Sequence, residues 1–331
     1  MHRLAPLGFV IAFLAGCGAS QPPVAPIGDQ HSAIVRDAGH LQSWMLPEAK
    51  NEDLAYVANV YTITAYSYPK GKLVGTLKNF YVPYGECVDA NGDVYITDSK
   101  FGKIYEYAHG GTKPIKTLKD TSYQPYGCAV DPATGDLAVA NYSDNSAREG
   151  NVYVYRKAKG FPKSYIGYGF YYYYYLGYDP KGNLYVDGLD YGGFDYKFGV
   201  LPKGGGAIDD VLLPEQIAAP GGIEWDGQYL AVGGGAEIYQ FSFSGSKATL
   251  EGTTPLSGAG LEVGQFGIAD STVVTPNQFF SGSAVLVYPY PGGGAPTQTI
   301  TKGVFYPFAA VVSPARGQRS SVGNPASTHP L

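Results

Sequence analysis

Charge is scarce in this chain. Asp, Glu, Lys and Arg make up 15 % of its 331 residues, while Gly numbers 46 and Tyr 30. A helical protein draws on Ala, Leu, Glu and Lys, so this balance argues against one and fits an all-β chain with many tight turns. The net charge of −5 leaves no basic footprint, which excludes nucleic acid as a partner. Histidine is nearly missing too: His109 is the only one in the part of the chain that repeats. There is no G-x-S-x-G elbow, no H-E-x-x-H helix and no phosphate loop, and a His-dependent reaction is not expected. Long apolar runs are absent with one exception. It runs from Leu4 to Leu14, broken by Pro6 and Gly8, and is about half of the ~20 residues a membrane-crossing helix needs.

That run has its own meaning. His2 and Arg3 precede it and Leu14-Ala15-Gly16-Cys17 follows it. A basic start, an apolar core and small residues at a cleavage point make a secretory signal peptide. The Cys after Leu-Ala-Gly resembles the lipobox of bacterial lipoproteins. The resemblance implies removal of residues 1–16 and acylation of Cys17, so that the protein contacts a membrane through an N-terminal lipid. Residues 17–50 then read as a lipidated Cys and a flexible tether rich in Pro, Ala, Ser, Gln and Gly. Residues 315–331 have a similar composition and are expected to be disordered. Gly18 and Ala19 lack the inner-membrane Asp signal of some enteric bacteria, which favours the outer membrane, with the body in the periplasm or outside the cell.

The rest of the chain, residues 51–314, repeats itself. P-Y-G-E-C-V-D-A-N-G-D-V-Y-I-T-D begins at Pro83, P-Y-G-C-A-V-D-P-A-T-G-D-L-A-V-A-N at Pro125, Y-D-P-K-G-N-L-Y-V-D-G at Tyr178 and P-G-G-I-E-W-D-G-Q-Y-L-A-V-G-G at Pro220. Each is an apolar strand, an Asp-led turn and a second apolar strand. Weaker copies surround Asp270 and Ser313. Taking Asp89, Asp131, Asp179, Asp226, Asp270 and Ser313 as equivalent gives spacings of 42, 48, 47, 44 and 43. A period of 40–50 residues with four strands is the signature of propeller blades. The fold class is therefore all-β, a single six-bladed β-propeller. Pro307–Ser313 is a first strand lacking followers and Tyr56–Asn59 a second strand lacking a predecessor, so the C-terminal strand joins the N-terminal blade and closes the ring.

Two Cys remain once Cys17 is set aside, and an even pair outside the cytoplasm favours a disulfide. Aligning the Pro-Tyr-Gly copies puts Cys87 opposite Ala129 and Cys128 opposite Glu86, one residue out of register. Side chains alternate faces along a strand, so the two Cys point from facing surfaces of neighbouring blades.

First strands start, and second strands end, on one face of the disc. That brings Tyr84, Tyr126, Tyr174 and Phe308 to one rim with the strand ends Asn59, Asp98 and Asn141, the inner-strand Glu86 and Glu224, and Asp187. Aromatic walls with a few polar groups are what small-ligand pockets use. The competing reading is structural: inner-strand Tyr packs between blades, and Asp or Asn at a strand end caps a turn. The run Tyr171–Tyr175 is open to packing, channel-wall and sugar-stacking roles. Asp89-Ala-Asn-Gly-Asp93 hints at a calcium loop but reads better as a turn.

The repeats resemble propellers of NHL type and the gluconolactonase-like six-bladed propellers, which include binding proteins, lactonases and streptogramin lyases. The resemblance implies a lactonase-like metal set of Glu86 or Glu224 with Asn141 and Asp98, and such oxygen ligands suit calcium. The first reading is a monomeric, non-catalytic module that binds a protein, glycan or small ligand and needs no cofactor. The alternatives are a metal-dependent lactonase or lyase and an envelope assembly scaffold.

Overall fold

The computed structural model describes residues 42–120, 123–144, 146, 148–259, 263–277 and 283–315. The expected signal peptide, Cys17, most of the tether and almost all of the C-terminal tail lie outside them.

The described chain forms six antiparallel sheets in sequence order. Blade II consists of Pro83–Val88, Val94–Asp98, Lys103–Tyr107 and Pro114–Lys119, and blade III of Tyr123–Val130, Leu137–Asp144, Glu149–Tyr155 and Lys163–Tyr165. Blade IV begins at Tyr172, blade V at Ile223 and blade VI at Gly267. Second strands such as Leu54–Ala58 and Val94–Asp98 are buried at every residue, because a sheet pressed between two others has no wet face. Outer strands such as Pro114–Lys119 alternate toward solvent. The core accordingly lies between sheets. Tyr95, Ile104, Leu137, Val139 and Tyr155 fill the gap between blades II and III.

Blade I closes the ring as the repeats predict. Ala309–Ser313 pairs with Leu54–Ala58, Leu54 opposite Ser313 and Ala58 opposite Ala309. His109 clasps this seam: Nε2 donates to the Glu52 carbonyl (3.0 Å) and Nδ1 pairs with the Ser313 hydroxyl (2.6 Å). The blade also has a fifth strand. Trp44–Met45 lies on its outer edge, followed by a 3₁₀ turn over Pro47–Asn51. Met45 and Leu46 pack against the blade I core. Blade IV has a short outer strand, only Asp209–Asp210.

Cys87 and Cys128 form a disulfide with their Cα atoms 5.6 Å apart. It joins the inner strands of blades II and III, as the one-residue offset requires.

The axis of the ring is tightly filled. A Cβ on Gly85 would lie 2.2 Å from the Tyr126 carbonyl oxygen, and one on Gly127 2.6 Å from that of Tyr174. The Gly of each Pro-Tyr-Gly copy is therefore where the backbones of successive inner strands touch. Gln265, on the segment entering blade VI, lies across the middle. Its Oε1 accepts the Glu86 amide (3.0 Å), its Nε2 donates to the Cys128 carbonyl (3.0 Å), and its own carbonyl accepts the Ala310 amide (2.9 Å). One residue thus ties blade VI to blades I, II and III, to blade I through its main chain and to blades II and III through its side chain. Replacing it by Leu strands a buried N–H and a buried C=O, at about 1–3 kcal/mol each. Gln265→Leu is expected to lose about 2–3 kcal/mol in a urea titration. A loss under about 0.5 kcal/mol would show that the axis does not depend on this residue.

Candidate functional site: a tyrosine-paved face

The Asp that leads each first hairpin is a turn residue. Asp89 Oδ1 accepts the amides of Asn91 (2.8 Å) and Asp93 (2.9 Å), and Asp179 Oδ1 those of Lys181 and Asn183. These carboxylates fix the end of the disc opposite the Pro-Tyr-Gly rim.

On the rim itself the predicted residues separate into two groups. The aromatics come together. Tyr84 stacks on Tyr126 with ring centroids 4.3 Å apart and meets Phe308 edge-on at 4.7 Å. Tyr126 meets Tyr174 at 5.2 Å. Tyr142 meets Tyr174 at 5.3 Å and stacks on Tyr172 at 4.7 Å. The series continues through Tyr171 to Tyr191. An unbroken path of rings therefore runs from the axis at Phe308 across blades II and III and out over blade IV. Tyr84, Tyr126, Tyr142, Tyr171, Tyr172 and Tyr174 are half-buried, and Tyr191 at the outer end is 78 % exposed. Burial raises the phenol pKa of Tyr84, so its hydroxyl stays a protonated donor near neutrality.

The Tyr171–Tyr175 run owes its double use to a register shift between Tyr173 and Leu176. Tyr173 and Tyr175 turn into the core, where the Tyr173 hydroxyl accepts the Gly167 amide (2.8 Å). Tyr171, Tyr172 and Tyr174 remain at the face.

The polar residues disperse to separate structural tasks. Asp98 is fully buried; its Oδ2 accepts the Tyr81 amide (2.9 Å) and its Oδ1 the Phe101 amide (3.2 Å). Burial pushes its pKa up to about 6, with these amides opposing. Asp187 joins two blades, Oδ1 accepting the Tyr175 amide and Oδ2 the Gly221 amide, both at 2.9 Å. Burial still holds its carboxyl well above the usual range. Thr97 fills the same role in blade II, accepting the Gly85 amide and donating to the Tyr126 carbonyl. Glu224 accepts the Ile268 amide of blade VI (2.8 Å), and desolvation pushes it up to about 8. Asn141 donates to Asn151 Oδ1 (2.7 Å), beside buried Asp120, whose pKa burial raises to about 7. Asn59 Oδ1 accepts the Phe305 amide (2.8 Å). Glu86 is fully buried and neither carboxyl oxygen has a well-formed hydrogen bond. Burial lifts its pKa far above the carboxylate range, and only the Ala58 amide works against it.

Asp98, Glu224 and Asn141, named with Glu86 in the calcium set that the lactonase resemblance implies, each take part in a different hydrogen bond, and among the described residues no three His, Cys, Asp or Glu side chains gather round one point. The residues that sequence reasoning missed are Tyr142, Tyr191 and Gln265. Tyr142 was within reach, since it follows Asn141 at the same strand end. Tyr191 lies in the loop between the second and third strands of blade IV, and Gln265 stands five residues before Asp270, where other repeats carry Tyr84, Tyr126, Tyr174 and Phe308.

No family model matches the chain, and no curated protein matches it. Solved structures do. A chain from a nidogen/laminin complex is 13 % identical with a TM-score of 0.63, covering 80 % of this chain and 99 % of that one. A protein of unknown function from Bacteroides caccae is 10 % identical with a TM-score of 0.60, covering 79 % of this chain and 99 % of that one. Hydrazine synthase of Kuenenia stuttgartiensis is 12 % identical with a TM-score of 0.57, covering 84 % and 90 %. At these identities the likeness is one of fold, and the fold is that of a six-bladed β-propeller.

Proposed function

We propose that the protein is a non-catalytic recognition module of the bacterial envelope, a propeller of NHL kind tethered by a lipid on Cys17, and that it binds a protein or glycan through the tyrosine-paved face of blades II to IV. The observation that carries this reading is the ring path from Phe308 to Tyr191. Tyrosine supplies large, rigid contact area with a hydroxyl at its edge and little rotamer entropy to lose, which is why recognition surfaces favour it. The rings support one another, so the face is pre-organised. Asp144, Glu149, Asp190 and Asp195 outnumber Arg148 and Lys197 around it, which favours a polar or basic partner. The disulfide fits an oxidising compartment and so supports export.

A photo-crosslinking residue placed at Tyr172 or Tyr191 in the intact chain tests the face in its own cell envelope. A discrete adduct is expected from both positions and none from Phe161, which is fully exposed in a turn on the opposite face. No adduct from the face, or the same adduct from Phe161, would sink the reading. In the same cells, Cys17→Ser is expected to release the protein from the membrane fraction.

A further inference from the structure

A second part of the rim face, over blades VI, I and II, differs in chemistry from the tyrosine path. Tyr61, Tyr81 and Phe101 form a row with centroid distances of 5.5 and 6.3 Å, and Tyr306 lies on the linker between blades VI and I. Tyr81, Phe101 and Tyr306 are 43, 47 and 53 % exposed. Lys100, Lys119 and Lys302 are exposed beside them, and Lys103 Nζ lies 5.6 Å from the Phe101 ring centre. The acids of this sector, Asp98 and Asp120, are both buried. The surface is therefore aromatic and cationic on a protein of net charge −5.

The chain enters the propeller at this same place. Trp44–Met45 is antiparallel to Lys72–Leu77, with Trp44 opposite Thr76. The fourth strand of a blade ends at the rim face, so the edge strand descends from that face and Gln42 lies at the rim of blade I. Ser43 Oγ accepts the Lys78 amide (2.9 Å) and fixes the entry point. Everything N-terminal of Gln42, Cys17 included, is thus attached beside the aromatic and lysine sector.

From these two observations we infer that the sector over blades VI, I and II docks on an anionic phospholipid surface. Tyr and Phe rings suit the headgroup boundary, and each Lys near an anionic surface contributes about 1 kcal/mol, or about a fivefold change in partitioning. The inference rests on the lipid-anchor reading for its setting. Residues 18–41 tie the anchored Cys17 to Gln42, so the body meets the surface at high effective concentration and weak docking suffices. Docking on this sector sets the face at a slant and leaves the tyrosines of blades III and IV open to a partner.

The test uses the mature chain, residues 17–331, with Cys17→Ser, so that no lipid contributes. Cosedimentation is measured with vesicles of equimolar phosphatidylglycerol and phosphatidylcholine, and with phosphatidylcholine alone. Binding to the anionic vesicles is expected, falling at high salt. The triple variant Lys100→Gln/Lys119→Gln/Lys302→Gln should weaken it on the order of a hundredfold. Lys181→Gln/Lys203→Gln, on the opposite face, should leave it unchanged. Equal binding to both vesicle types, no binding, or equal loss in the control variant would overturn the inference. So would a dimer in sedimentation velocity that Phe101→Ala abolishes, since the sector would then serve a second copy of the chain. Because the lipid is absent, failure here is separate from failure of the Cys17 reading, which the membrane-fraction experiment decides.

Discussion

Cys87→Ala/Cys128→Ala is expected to cost about 4 kcal/mol of stability, the chain-entropy value for a loop closed across 41 residues. For a domain of this size that is a fall of roughly 8 °C in melting temperature. The bridge joins two inner strands whose other contacts are side chains packed between sheets, including Tyr95, Ile104 and Val139. Those contacts survive the substitution, so the native fold should persist with a lower midpoint. Urea titration of the oxidised protein and the double variant measures the difference. Wild-type protein titrated after reduction should match the variant. A difference under about 1 kcal/mol, or free thiols in the purified wild type, would contradict the pairing.

The second large effect is on pH. Asp98, Asp120 and Glu224 are raised from 3.8, 3.8 and 4.5 to about 6, 7 and 8, and buried Glu86 and Asp187 are raised well above their ordinary values. Desolvation is the leading cause in each. An unfolded chain releases these protons near pH 4, while the folded chain keeps them to higher pH. The native state therefore binds more protons between about pH 4 and 8, and linkage requires stability to fall as pH rises through that window. The slope is at most about 1.4 kcal/mol per pH unit for each retained proton. The overall loss from about pH 5 to pH 8 is expected to be several kcal/mol, with an upper bound of about 8 kcal/mol for Asp98, Asp120 and Glu224 together. Asp144 and Asp190 are held low by backbone amides, and their opposing effect is confined to more acid solution. Glu86→Gln keeps the shape without the charge, so it should flatten the profile and exceed wild type in stability near pH 8. A melting temperature that rises from pH 5 to 8, or a Glu86→Gln variant less stable than wild type at pH 8, would contradict the assignment.

Architecture was more legible in the sequence than the site was. Blades are periodic, so Asp89, Asp131, Asp179 and Asp226 mark the same turn four times, and the orphan strands at the two ends explain each other. Alternation along a strand was enough to pair Cys87 with Cys128. The site depends on what breaks the period. Asp187 and Glu86 sit on inner or second strands like candidate ligands. Whether such a carboxyl reaches the rim or turns between blades depends on local register, as the bulge between Pro83 and Gly85 shows. Gln265 breaks the period by chemistry, an amide five residues before Asp270 where other repeats carry an aromatic ring. The Trp44–Met45 strand was hidden because two residues gain their structure from the blade they lean on. The aromatic half of the site was readable, because Tyr84, Tyr126, Tyr174 and Phe308 share one position in four successive inner strands.

The central claim is that the tyrosine path of blades II to IV is the binding surface. The direct test is affinity capture from the envelope fraction, and binding to a glycan array, by wild type and by Tyr142→Ala/Tyr172→Ala, with melting temperatures recorded for both. Both rings are half-buried at the face, so the account predicts that the double variant stays folded and loses at least about tenfold in binding, the scale of a truncated interface anchor. A folded double variant that binds as wild type does would contradict it.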